Sequence, residues 1–128
     1  MSNQSPPRPT DAELAILRIL WRCGPSTVGE VQTELSKQRN TGYTTALKLL
    51  QIMTDKGLVE RDTSRRAHVY QARGTQDQTQ QQLVDDLLQK AFGGSAARLV
   101  MQALSSRQAS PAELAEIRRL LDEQEGAE

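Results

Sequence analysis

Residues 43–61 read YTTALKLLQIMTDKGLVER, and how this stretch divides decides the fold. As far as Lys56 the apolar positions recur at helical spacing. Gly57 fits the left-handed residue that closes a helix, and from Leu58 the period changes to two. The helix opens with Thr44 and Thr45, although threonine is a mediocre helix former. At about 100° per residue, Ala46, Leu49, Leu50 and Met53 share one side. Thr44, Lys48, Gln51 and Asp55 point the opposite way, with Thr45 on the flank. Two readings fit such a face: threonines chosen for capping on a solvated surface, or hydroxyls and a lysine presented to a polar partner.

The flanking sequence gives this helix a context. Thr10-Asp11-Ala12-Glu13 is a capping box, and Leu14, Leu17 and Trp21 follow at helical spacing, widened by Ile16 and Leu20, until Gly24-Pro25. Thr27-Val28-Gly29-Glu30 is a second box, opening a short helix with Val28, Val31 and Leu35 on one face. Residues 38–42 form a polar turn. Beyond Gly57, Leu58–Arg61 and His68–Ala72 read as two strands joined by polar residues that include Arg65 and Arg66. Three helices and a basic-tipped hairpin within residues 10–74 are the order of a winged helix-turn-helix, whose second helix of the pair enters the DNA major groove.

The expected fold class is therefore mostly α: three helices plus a two-stranded β-hairpin wing, followed by a helical module. Candidate DNA-binding residues are Thr41, Tyr43, Thr44, Thr45 and Lys48 at the recognition helix, and Arg65 and Arg66 on the wing. Threonine offers a hydroxyl to base edges or phosphates and a methyl to thymine, while lysine reaches guanine or phosphate. The wing arginines suit charge-assisted bonds to phosphate or insertion in the minor groove.

Charge is divided along the chain. Residues 1–74 hold 11 basic and 7 acidic side chains, and residues 75–128 hold 5 and 9. The positive excess lies in residues 37–73, with 8 basic against 3 acidic. A basic half joined to an acidic half suits a polyanion at one end and another task at the other. The single Cys23 excludes an internal disulfide and any multi-cysteine metal site, and is expected to be a small buried side chain. His68, the only histidine, reads as packed or solvated. Without a phosphate loop, nucleophile elbow or metal-ligand cluster, no enzymatic activity, cofactor or metal is expected. No apolar run approaches the roughly 18 residues of a membrane span, and residues 1–9 carry no signal-like stretch. Together these features favour a cytoplasmic protein.

The expected organisation is a disordered lead over 1–9, the winged domain over 10–74, and a helical region over 75–128. Leu83, Leu87 and Leu88 mark a fourth helix up to Phe92, stopped by Gly93-Gly94. Ser95 caps a fifth carrying Leu99, Val100 and Leu104. Ser110-Pro111-Ala112-Glu113 starts a sixth with Leu114, Ile117 and Leu121. Three short helices cannot bury so many apolar groups alone. They pack on the winged domain or share a core with a second copy. The acidic charge favours the second, and a dimer presents two recognition helices to an inverted repeat.

The runs TDAELAILRILW, TVGEVQTEL, YTTALKLLQIMTDKGLVERD, RRAHVYQA and FGGSAARLVMQAL resemble the BlaI/MecI/CopY family of penicillinase-type repressors over residues 8–124. The resemblance implies a dimeric winged-helix repressor of double-stranded palindromic operators, without membrane insertion, with a membrane sensor protease as partner. It places Thr44, Thr45 and Lys48 on the recognition helix and Arg65 and Arg66 on the wing. The copper-responsive branch ends in a cysteine-rich tail that LLDEQEGAE lacks, which argues against metal sensing through thiolates. In the antibiotic-responsive branch, induction cuts an Asn-Phe bond after the FGGS-like motif. That bond is absent here, and Gln102 and Ala103 mark the comparable cleavage region. The alternative reading is a winged-helix protein-interaction module without a DNA target.

Overall fold

The computed structural model describes residues 8–126, so most of the proline-rich lead expected over 1–9 lies outside the described residues. Nine elements follow in order. They are α1 (Asp11–Cys23), β1 (Ser26–Thr27), α2 (Val28–Ser36), α3 (Tyr43–Lys56), β2 (Val59–Asp62), β3 (Val69–Ala72), α4 (Gln76–Ala91), α5 (Ala96–Ser106) and α6 (Pro111–Gly126). The chain falls into two compact units that divide at Leu83 and Val84.

In the first unit, both predicted capping boxes close. The Thr10 amide donates to Glu13 Oε1 at 2.9 Å and the Glu13 amide to Thr10 Oγ1 at 3.2 Å. Thr27 and Glu30 repeat the exchange at 2.8 and 3.2 Å. Each box satisfies two amides that a helix start leaves without intrahelical acceptors. The core is built from one face of each helix: Ile16, Ile19 and Leu20 of α1, Val31 and Leu35 of α2, and Ala46, Leu50 and Met53 of α3. Val59 and Tyr70 close it from the sheet. Fully burying each large apolar side chain contributes about 1.5–3 kcal/mol, so this stripe outweighs the surface ion pairs. One of those pairs, Arg22 with Glu34 at 2.8 Å, links α1 to α2.

The expected hairpin forms, with β2 antiparallel to β3 and Val59 opposite Ala72. The structure adds a strand that sequence reading did not find. β1 pairs with the other edge of β3, Ser26 opposite Tyr70 and Thr27 opposite Val69, giving a three-stranded sheet of order β1-β3-β2. Two residues carry no alternation to read, and pairing alone makes them a strand. Cys23 also departs from expectation, because it is exposed. The buried stripe of α1 ends at Leu20, and Cys23 overhangs it as the last helical residue.

The helix of the opening stretch stops as its sequence requires. Gly57 sits at φ 83°, its amide donating to the Thr54 carbonyl at 3.1 Å, while the Leu58 amide donates to Met53 at 2.9 Å. These are the two bonds of a Schellman turn. A Cβ at Gly57 would meet only Arg73 Nη1 at 3.6 Å, so space is not the constraint and backbone conformation is. Gly57→Ala is expected to lower stability by about 1 kcal/mol or more, read as a shift in the urea midpoint with an unchanged slope.

In the second unit, Gly94 at φ 82° ends α4 with its amide on the Leu88 carbonyl at 2.8 Å. Ser95 caps α5 through the Arg98 amide at 3.1 Å, and Ser110 and Glu113 close the predicted box of α6. Arg119 pairs with Glu116 and Glu123 along α6. The start of α4 lies in the first unit and corrects the sequence reading: the helix begins at Gln76, ahead of the expected Leu83. Thr75 and Gln78 form a capping box there, at 2.9 and 3.0 Å, whose T-x-x-Q signature was present in the sequence. No residue of α4, α5 or α6 is buried. No helix among the described residues is long and apolar enough to cross a membrane.

Candidate nucleic-acid interface

The two faces of α3 are sharply divided. Ala46, Leu50 and Met53 each have 0% exposure, while Thr44, Thr45, Lys48, Gln51 and Asp55 are all exposed. Since the apolar side is fixed in the core, the polar side has only one direction to face. Gly42 occupies the N-cap and makes no side-chain cap bond, so Thr44 and Thr45 are not engaged in capping. Tyr43 is 54% exposed at the same helix start.

Thr41 is placed differently from the exposed residues at the start of α3. It is buried, and its Oγ1 donates to the Arg39 carbonyl at 3.2 Å. Its own carbonyl accepts from Gln32 Nε2 and Ser36 Oγ, both at 3.0 Å. These bonds turn Thr41 inward and lock the connection between α2 and α3. Its hydroxyl is engaged within that connection.

The other end of α3 is anchored by charge. Lys56 Nζ lies 2.7 Å from Glu13 Oε1, with the Glu13 side chain 3% exposed and the Lys56 side chain 31%. The carboxylate that caps α1 therefore also holds the last residue of α3. Burial alone would raise the Glu13 pKa. The Lys56 hydrogen bond, the Thr10 amide, the Lys56 charge and the Thr10 hydroxyl outweigh it and hold the carboxyl below its ordinary value.

On the wing, Asp62 Oδ1 accepts from the Ser64 amide at 2.9 Å, an Asx turn that shapes the start of the loop. The Ser64 hydroxyl, then its amide, and the nearby charge of Arg65 keep Asp62 below the usual carboxylate range. Arg65 and Arg66 follow this turn, both exposed.

Three helices, a sheet-backed wing and one outward polar helix face form a winged helix-turn-helix. A family model described as penicillinase repressor matches residues 9–123. The chain belongs to the penicillinase repressor family. Within that family, it is 37% identical over 87 residues to the transcriptional regulator BlaI of Mycobacterium tuberculosis, covering 66% of this chain and 63% of that protein. The solution structure of the DNA binding domain of the repressor BlaI matches with a TM-score of 0.51 at 26% identity, over 58% of this chain and 90% of that one. The Bacillus licheniformis BlaI monomeric form, in complex with the blaP half-operator, matches with a TM-score of 0.50 at 26% identity. That match spans 57% of this chain and 89% of its counterpart.

The expected dimerisation residues of this penicillinase repressor family member are spread over the last three helices. Leu83, Leu88, Phe92, Leu99, Leu114 and Ile117 are half-buried, while Leu87, Val100, Leu104 and Leu121 are exposed. Gln102 and Ala103 lie exposed inside α5. A bond there is helical, so a protease requiring an extended substrate would first have to unwind α5.

Proposed function

We propose that this chain is a homodimeric transcriptional repressor that binds double-stranded DNA through α3 and the wing, a regulatory role without enzymatic chemistry. The observation that carries the reading is the outward face of α3: Thr44, Thr45 and Lys48 stand exposed opposite three residues of zero exposure. Tyr43 and the wing residues Arg65 and Arg66 extend it. A solved relative of the same fold is bound to a half-operator, which supports one half-site for each winged domain. Phosphate contacts by Lys48 and the arginines would supply salt-dependent affinity, and the threonines would read base edges.

The dimer follows from the second unit. Among the described residues, seven of the nine exposed large apolar side chains lie there: Val84, Leu87, Val100, Met101, Leu104, Leu120 and Leu121. Their exposure in a single chain leaves an apolar surface for a second copy to cover. In this division of labour, residues 10–74 bind DNA and residues 75–128 dimerise. Release by an inducing signal, through a membrane sensor protease acting near Gln102 and Ala103, would separate the two tasks. An uncut chain in induced cells would refute that step.

The test of DNA binding is a gel shift with a duplex from the promoter of the chain's own gene. Binding should be firm at low salt and fall steeply as salt rises. Lys48→Ala and Arg66→Ala are each expected to weaken it about tenfold while leaving the thermal melt unchanged. If the duplex is ignored at low salt, a protein-interaction module replaces this reading.

A further inference from the structure

Among the described residues, the first unit leaves two large apolar side chains exposed, and both belong to α3: Tyr43 and Ile52. The others lie in the second unit. Tyr43 has a hydroxyl to present to water. Ile52 has only carbon in its side chain, and 38% of its surface is nevertheless open. A single exposed isoleucine is ordinary on a protein surface, so its position has to carry the argument.

That position is the outward side of α3. Thr45, Lys48 and Ile52 follow at i, i+3 and i+7, which sets them in one row along the helix, and all three are exposed. At 1.5 Å per residue the row runs about 10 Å, long enough for a helix lying in the major groove to meet successive base pairs. Beyond Lys48 the exposed positions of α3 are Gln51, Ile52 and Asp55, none of them a cation. Lys56 is taken up by Glu13 at 2.7 Å. This half of α3 therefore has no side chain with which to hold a phosphate, and base edges are what it can meet. The apolar group that base edges present in the major groove is the C5 methyl of thymine.

We propose that Ile52 reads thymine, its side chain covering the C5 methyl of one thymine in each operator half-site. The proposal rests on the DNA-binding reading above and adds to it a base and an apolar contact. It divides the labour along the row. Lys48 gains from guanine or from any phosphate within reach, whereas Ile52 gains only where a methyl is present. Covering one such methyl corresponds to about fourfold in affinity.

Deoxyuridine differs from thymidine only in lacking that methyl, which allows the contact to be removed from the DNA side. Fluorescence anisotropy on the full chain at low salt compares the promoter duplex with duplexes that carry uracil in place of one thymine at a time. Wild type should lose about fourfold in affinity at one thymine of each half-site. Ile52→Ala should bind the unmodified duplex more weakly than wild type and lose nothing further from uracil at that position, since the two changes remove the same contact. Ile52→Val, the smaller change to the fold, should keep part of the discrimination, and circular dichroism checks that both variants are folded. Indifference of wild type to uracil at every position overturns the proposal. So do equal losses in wild type and Ile52→Ala at every sensitive position, which would assign the methyl contacts to other side chains. In both cases the DNA-binding reading stands. Absence of wild-type binding to the unmodified duplex overturns both.

Discussion

Leu121→Glu, in the proposed dimer surface, is expected to convert the protein to a monomer and to weaken operator binding by about a hundredfold. Leu121 is 58% exposed in the single chain, so a carboxylate there meets water and has little reason to disturb α6. In a dimer core the same carboxylate would be buried unpaired, at a penalty of several kcal/mol. The DNA effect follows from linkage: once one half-site is occupied, the second is reached at the high effective concentration of a joined partner, an advantage of about 10²–10⁴. Ile117→Glu is the companion variant, at a half-buried position of the same helix. Sedimentation velocity beside circular dichroism decides the matter. A helical, folded Leu121→Glu protein that still sediments as a dimer would remove this face from the interface.

The second large effect concerns the anchor of α3. Lys56→Met leaves the Glu13 carboxylate, 3% exposed, without its cation. Breaking a buried ion pair costs about 3–5 kcal/mol, and the partial exposure of Lys56 reduces the expectation to about 2–3 kcal/mol. For a unit of this size, that lowers the melting temperature by on the order of 10 °C. The pH dependence has a definite sign. The folded-state pKa of Glu13 lies below its ordinary value of 4.5, so its contribution is fully present above that value. It is lost as pH falls through the lower folded-state pKa. Wild type should therefore lose stability on acidification below about pH 4.5. In Lys56→Met, burial without a cation favours the neutral acid, so the gap between the two proteins should narrow toward low pH. Urea melts at pH 7 and pH 4 measure both effects. Equal stability at pH 7 would show that the ion pair does not hold α3 in place.

The candidate site was legible where local chemistry specifies its geometry. The phase of Ala46, Leu50 and Met53 against Thr44 and Lys48 is a property of helix geometry, and the core kept it. The burial of Thr41 was not legible, because its sequence neighbours form a polar turn. Only the bonds from Gln32 and Ser36 of α2 to its carbonyl, with its own hydroxyl donating to Arg39, show that it faces inward.

By itself, the sequence determined where helices start and stop. Thr10, Thr27, Ser110 and Gly57 act through bonds to residues three to five positions away, and short-range bonds are written in short-range spacing. Tertiary structure alone decided the pairing of β1 with β3, the link from Glu13 to Lys56 across 43 positions and the exposure of Cys23. Each of these depends on which distant surfaces the hydrophobic core brings together, and no local pattern encodes that choice.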